Sequence, residues 1–285
     1  MNGVVGPDAT QVAADVARAL AEDLGDGDLT AALLPADEWG RAQVLTREPA
    51  VMCGQAWAAA CFATIDPRVK CEWLAEEGAN LAANDVFLRL TGPVRALVSG
   101  ERAALNFLQT LMATATVSRQ FANAVSGTRT RILDTRKTLP GLRHAQKYAV
   151  RVGGASNHRI GLFDAVLIKE NHIAAAGSIA AAIAKARAIA GTRMVEIEVE
   201  SLAELQLALA AKPDRIMLDE FSADDLQAAV ALAQGQVELE VSGSMSLERL
   251  AAVAALGVDF ISVGALTKHV RAIDLSMRLL GRIDG

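Results

Sequence analysis

Residues 194–220 read MVEIEVESLAELQLALAAKPDRIMLDE. Two short apolar and β-branched runs, 194–200 and 215–220, end in carboxylates, Glu200 in the first and Asp219 in the second. Between them, 202–211 is a leucine- and alanine-rich segment of helical length. Strand, helix and strand joined by connections this short predict two parallel strands with a crossover helix. The same rhythm recurs on both sides. Further strands are expected at RILDT (131–135), DAVLIK (164–169), VELEVSG (237–243) and FISVGA (260–265), with helices at 173–190, 223–234, 246–256 and near 271–280. Six such strands suffice for an α/β barrel, whose strand ends all open on one face. Residues far apart in the chain then converge there: Arg136 and Lys137 after Asp134, Lys169, Glu200, Asp219, Ser242 with Gly243, and Gly264.

The first third has a different texture. A helix at 9–22 leads into EDLGDGDLT (22–30), whose acids read as a helix stop and an Asp-Gly turn. Strands are expected at RAQVLTRE (41–48), VKCEWLA (69–75), VFLRLTG (86–92) and VRALVSG (94–100). This is a small α+β domain, and a long helix at 101–124 joins it to the barrel. Arg102 would then stand in that helix's first turn, where the macrodipole offers a cation no benefit. The expected domains are 1–112 and 113–285, with the last helix free to pack back on the first domain.

The chain of 285 residues carries a net charge of −5, yet 129–169 holds nine Lys or Arg against two acids. That segment is +7 and the remainder −12. An acidic chain with eleven aromatics and a single tyrosine, Tyr148, does not present the basic face of a nucleic-acid binder. The cations point instead to a small, highly anionic ligand. In DTRKTLPG (134–141) two cations precede a Pro-Gly turn, in GGASNHR (153–159) two glycines precede His158 and Arg159, and LIKENH (167–172) ends a strand on Lys169. Arginine grips a carboxylate with two parallel hydrogen bonds, and lysine serves as a movable point charge. Glu200 and Asp219 suit sugar hydroxyls and Mg²⁺ carried by a polyphosphate. The glycine turns VSGSM and SVGA suit a phosphate monoester. No G-x-G-x-x-G, Walker loop or H-E-x-x-H occurs. Cys53, Cys61 and Cys71 fit neither a zinc pattern nor a disulfide framework and read as reduced core thiols. The N-terminal stretch lacks the features of a signal peptide, so a cytoplasmic location is expected.

These segments resemble quinolinate phosphoribosyltransferase, the nicotinate-nucleotide pyrophosphorylase (carboxylating) family. The resemblance is carried by ALAEDLGDGDLT (19–30), ERAALNFLQ (101–109), DTRKTLPGLR (134–143), QKYAVRVGGASNHRIGLFDAVLIKENHI (146–173), EIEVES (196–201), MLDEF (217–221), EVSGS (240–244) and ISVGALT (261–267). It implies an N-terminal open-faced α/β sandwich, a C-terminal partly open parallel α/β barrel, and a homodimer in which Arg102 enters the neighbouring subunit's site. By the same matching, Arg136, His158, Arg159 and Lys169 would contact quinolinate. Lys137, Glu200 and Asp219 would meet PRPP and its Mg²⁺, the two carboxylates through water. Ser242, Gly243, Ser244 and Gly264 would receive the 5'-phosphate. The chain departs from the family's pattern at TLMATAT (110–116), at Ser244 in place of a second glycine, and at Glu170 in place of Asp. Three other readings stand beside this one: transfer to a monocarboxylate such as nicotinate, a Schiff-base lyase using Lys169, and a metabolite sensor without activity.

Overall fold

The computed structural model describes residues 5–283. In chain order the elements are α1 (Ala9–Leu24), β1 (Trp39–Thr46), β2 (Ala50–Val51), α2 (Gln55–Ile65), β3 (Lys70–Trp73), β4 (Asn80–Leu81), β5 (Val86–Pro93) and α3 (Val94–Ala124). There follow β6 (Arg131–Leu133), α4 (Arg143–Val152), β7 (Val166–Ile168), α5 (Glu170–Ala176), α6 (Ile179–Ala190), β8 (Val195–Val199), α7 (Leu202–Ala211) and β9 (Arg215–Asp219). The chain ends with α8 (Ala223–Ala233), β10 (Glu238–Ser242), α9 (Leu247–Ala255), β11 (Phe260–Ser262), α10 (Ala265–Lys268) and β12 (Leu275–Ile283).

Two compact units result. The first contains the chain up to Arg119, Leu139–Gly154 and the segment from Lys268 onward; the second contains Gln120–Thr138 and Ala155–Thr267. The expected division between 112 and 113 is therefore crossed twice in space, because α4 and the C-terminal strand both join the first unit.

The first unit is built on an antiparallel sheet in the order β12-β1-β5-β3. Along β1, Ala42, Val44 and Thr46 are buried in alternation, the period of a half-buried strand. Helices α1 and α2 meet around a buried carboxylate, Asp15. It accepts from Trp57 Nε1 at 3.1 Å and from Arg18 at 2.6 Å, so its burial is compensated.

Two expectations fail in this unit. VRALVSG (94–100) is not a strand but the start of α3. Leu97 is fully buried, and a Cβ on Gly100 would stand 2.6 Å from the Phe62 ring. That glycine admits a neighbour inside a helix; it does not mark a turn. Arg102 consequently lies in the third turn, not the first. The segment expected as a last helix near 271–280 is β12, paired with β1 from Thr46↔Leu275 to Trp39↔Ile283. Its apolar residues fit either period, and the free edge of β1 decides for the strand. The segment does join the first unit, as a strand.

The second unit holds six parallel strands in the order β6-β11-β10-β9-β8-β7. No ladder joins β6 to β7; a single bridge, Leu133↔Ser156, stands beside that gap. The architecture is the expected partly open barrel. The expected helix 173–190 is two, because Gly177 takes φ +92° and Ser178 caps α6 by accepting from Ala181 N–H. On β8 every residue is buried, with Val195, Ile197 and Val199 alternating with Glu196 and Glu198. The cysteines are free, with Cys53 and Cys61 buried and Cys71 half-buried. Burial pushes the Cys61 thiol up to about 12 and Cys71 to about 11, so neither is a reactive thiolate.

Candidate active site

A cavity of about 250 Å³ in the second unit is lined by Arg136, Lys137, His158, Arg159, Lys169 and Ser242, together with Thr135, Glu198, Met217, Glu240 and others. Residues from β6, β7, β8, β9, β10 and β11 or the loops after them thus meet at one place, as expected for carboxyl ends of parallel strands. Of the nine cations in 129–169, four line it. Arg129 pairs with Asp259, Arg131 lies over the Phe260 ring, and Arg143, Lys147 and Arg151 belong to α4 in the first unit. The charge excess is thus only partly a property of the site.

Each cation is held differently. Arg136 and Lys137 stand exposed after β6. The Lys137 carbonyl accepts from Thr267 Oγ1 at 2.8 Å, which ties this loop to α10. Arg159 is half-buried and donates to the Ala165 carbonyl at 3.2 Å. Burial, and the Arg136 guanidinium nearby, push its pKa down. Two guanidiniums that oppose one another's charge make the cavity suited to an anion. Lys169 is salt-bridged to Glu198.

His158 lines the cavity, but its nitrogens face the protein. Nδ1 accepts the Arg159 N–H at 2.7 Å, and Nε2 lies 2.9 Å from Glu196 and 3.5 Å from Glu240. Its own N–H donates to Asp134 at 2.8 Å, while Asn157 bonds the other Asp134 oxygen. This arrangement fixes the loop that carries Arg159. Glu240, which lines the cavity, and Glu196 are fully buried and close together, with Arg215 at 3.1 Å from Glu240. Desolvation raises Glu196 to about 7. Desolvation and then the charge of Glu196 raise Glu240 to about 8.

Glu200 and Asp219 stand outside the cavity lining but join Glu198, with one carboxylate oxygen from each lying within 4.8 Å of the others. Three hard oxygen donors at this spacing fit a divalent cation such as Mg²⁺. Gly264 packs on Lys137: a Cβ there would meet the Lys137 Cδ at 3.2 Å. Gly243 takes φ +128° and Ser244 follows it, exposed. Arg102 is exposed in the first unit, with Glu101 at 4.0 Å.

Sequence reasoning missed Glu196, Glu198 and Glu240. Their signal is present in MVEIEVE and VELEV, where acids alternate with β-branched residues in strands that parallel sheets bury on both faces. Buried acids of that kind require a polar interior.

Two family models cover the chain: the quinolinate phosphoribosyl transferase N-terminal domain over residues 28–112 and its C-terminal domain over 114–278. The chain belongs to this family. Among curated relatives, a nicotinate-nucleotide pyrophosphorylase [carboxylating] of Mycobacterium leprae is 42% identical over 273 residues, covering 93% of this chain and 95% of that protein. A probable one from Synechocystis is 41% identical, with 92% and 90% covered. Among solved structures, the nicotinate-nucleotide pyrophosphorylase from Francisella tularensis superposes with TM-score 0.92 at 46% identity, over 98% of this chain and 99% of that one. The two family models meet near residue 113, whereas the compact units place α4 and β12 with the residues before that line.

Proposed function

We propose that this chain transfers the phosphoribosyl group of PRPP to quinolinate and releases CO₂, giving nicotinate mononucleotide and pyrophosphate in de novo NAD biosynthesis. The observation that carries the reading is the pairing of Arg136 with Arg159 in a cavity that Lys137 and Lys169 also enter. A dicarboxylate with a polyphosphate donor requires that number of cations, since an unpaired buried carboxylate costs several kcal/mol.

In the proposed reaction the pyridine nitrogen attacks ribose C1, and pyrophosphate leaves with the electron pair of the C1–O bond. Lys137, which lines the cavity, would stabilise the developing charge. Glu200 and Asp219, beside Glu198, would hold Mg²⁺ carried with PRPP, which supplies further neutralisation of pyrophosphate when bound. Ribosylation makes the ring cationic, so the electron pair of the C2–carboxylate bond is stabilised beside N⁺ as CO₂ departs, and C2 then takes a proton. Tight arginine pairing belongs on the retained 3-carboxylate, because gripping the departing group would oppose its loss. His158 orients Arg159 through the Nδ1 contact and is a positioning residue. Lys169, salt-bridged to Glu198, serves better as a cation than as a Schiff-base amine.

A homodimer belongs to the same reading. A second hollow of about 530 Å³ shares Arg136, Arg159 and Lys169 with the site, and its rim carries exposed Leu162 and Ile189 (76% and 77%). Such an apolar border beside a charged cavity suits a covering subunit, and an exposed Arg102 suits entry into it. No single helix among the described residues is long and apolar enough to cross a membrane; a cytoplasmic location is part of the proposal. Purified protein incubated with quinolinate, PRPP and Mg²⁺ should form nicotinate mononucleotide and CO₂ in equal amounts. Turnover of nicotinate at a comparable rate, without CO₂, would replace quinolinate by the monocarboxylate.

A further inference from the structure

The turn after β10 already holds an anion from within the chain. Glu220 follows Asp219 at the end of β9 and takes φ +52°, a conformation that costs most non-glycine residues. Its N–H donates to the Ser242 carbonyl at 3.3 Å, which brings the two strand ends together. Its side chain then crosses to the next turn. Oε1 accepts the Ser244 N–H at 3.3 Å, and a Cβ built on Gly243 would lie 3.0–3.1 Å from the carboxylate carbon and both oxygens. The carboxylate therefore packs against the Gly243–Ser244 backbone. A Cβ at 243 would press on it, and φ +128° would strain any side chain there independently.

This is the turn that the family resemblance assigns to the 5'-phosphate of PRPP, and the role of Glu220 rests on that assignment and on the proposed function. We infer that Glu220 sets the affinity for the phosphoribosyl donor: its carboxylate occupies the Ser244 N–H, and the 5'-phosphate binds only by displacing it. Carboxylate and phosphate both act solely as acceptors toward a backbone N–H, so one donor cannot serve both fully. Once displaced, Glu220 remains tethered to the turn by its backbone contact with Ser242, and its negative charge stays close to the incoming dianion. Ser244 and Glu220 therefore act together: one supplies the N–H and the other holds it.

The test is the split between the two substrates. Glu220→Asn removes both charge and reach while tolerating positive φ, and Glu220→Gln removes the charge but keeps an acceptor. The KM for PRPP should fall about 2- to 5-fold in Glu220→Asn, the size expected on removing an exposed like charge. The Gln variant should show a smaller fall, and the KM for quinolinate should stay the same in both. Inorganic phosphate should also protect Glu220→Asn against thermal unfolding at lower concentration than it protects the parent chain. A PRPP KM that is unchanged or raised in both variants overturns the inference. Gly243→Val distinguishes a failed role for Glu220 from a failed phosphate site. If it raises the PRPP KM while the Glu220 variants do nothing, the phosphate turn stands and the role of Glu220 falls. If Gly243→Val leaves the PRPP KM unaltered, the phosphate assignment fails and the inference with it.

Discussion

Arg136 and Arg159 are adjacent cations in one cavity, and each is expected to make a charge-assisted contact with the ring substrate. Losing one such contact is worth about 1.5–3 kcal/mol, which is roughly 10- to 150-fold in binding. Arg136→Ala or Arg159→Ala should therefore raise the KM for quinolinate by about that factor and move the KM for PRPP far less. Steady-state kinetics with each substrate varied in turn would check it, and equal changes would sink the assignment. These two residues are legible because DTRK places Arg136 just after a strand end and GGASNHR places Arg159 in the loop that follows two glycines. The direction of the His158 nitrogens is not, since it depends on Glu196 and Glu240 arriving from strands nearly forty and more than eighty residues later.

The same two carboxyls set a pH dependence. Their folded values of about 7 and about 8 lie above the ordinary 4.5, so the folded chain holds protons that the unfolded chain releases. Their stabilising contribution is complete below about pH 4.5 and is lost as pH rises through 7 and 8. Arg215, Arg159, His158 and Glu198 surround the pair and are retained in the comparison. Thermal unfolding followed from pH 5 to 9 should show stability falling with pH, and Glu240→Gln should flatten that fall. A Gln variant with the parent slope would show that the pair is not the source.

At the scale of elements, glycine identity is ambiguous where packing decides it. Gly100 and Gly153 look alike in sequence, yet neither marks a φ above zero. Gly153 closes α4 against α3 so tightly that a Cβ would stand 2.5 Å from the Ala115 carbonyl and the Ser118 Cβ. Gly153→Ala should destabilise the first unit by about 1–3 kcal/mol, the usual cost of overpacking. A denaturation midpoint unchanged from the parent would show that α3 and α4 can separate freely. The helix–strand–helix rhythm from 194 onward is readable because each crossover helix is bounded by its own cap, Ser201, Ser222 and Ser246, and each strand by a run of β-branched residues. β12 reads as a helix in sequence because LSMRLLGRI suits both periods. Its pairing with β1 closes an edge that would otherwise be open. Removing residues 275–285 should leave β1 as an exposed edge and yield aggregated or unfolded protein, measurable by size-exclusion chromatography and circular dichroism. A soluble truncation with an intact spectrum would count against β12 as a structural strand.

For the whole molecule, the proposal that Arg102 completes a neighbour's site makes a prediction that no single chain can satisfy. Arg102→Ala and Lys137→Ala should each be inactive as pure proteins. Mixed after reversible dissociation, they should recover activity toward a quarter of the parent, since a statistical half of the dimers would hold one site with both residues intact. Mixtures no more active than their components would show that each chain works with its own Arg102.

Sequence alone determined the crossover pattern, the parallel barrel and the identity of the cations at its strand ends, because local periodicity and chain connectivity dictate those features. Only the tertiary structure decided which of nine basic residues meet, where α4 and β12 belong, and that Glu198 and Glu240 line the site with Glu196 buried beside them. The physical reason is that β7 to β11 lie side by side in chain order while β6 pairs with β11, so side chains far apart in the sequence face one cavity. A buried charge is settled by partners many residues away, and an ambiguous segment by whichever edge or groove stands open to receive it.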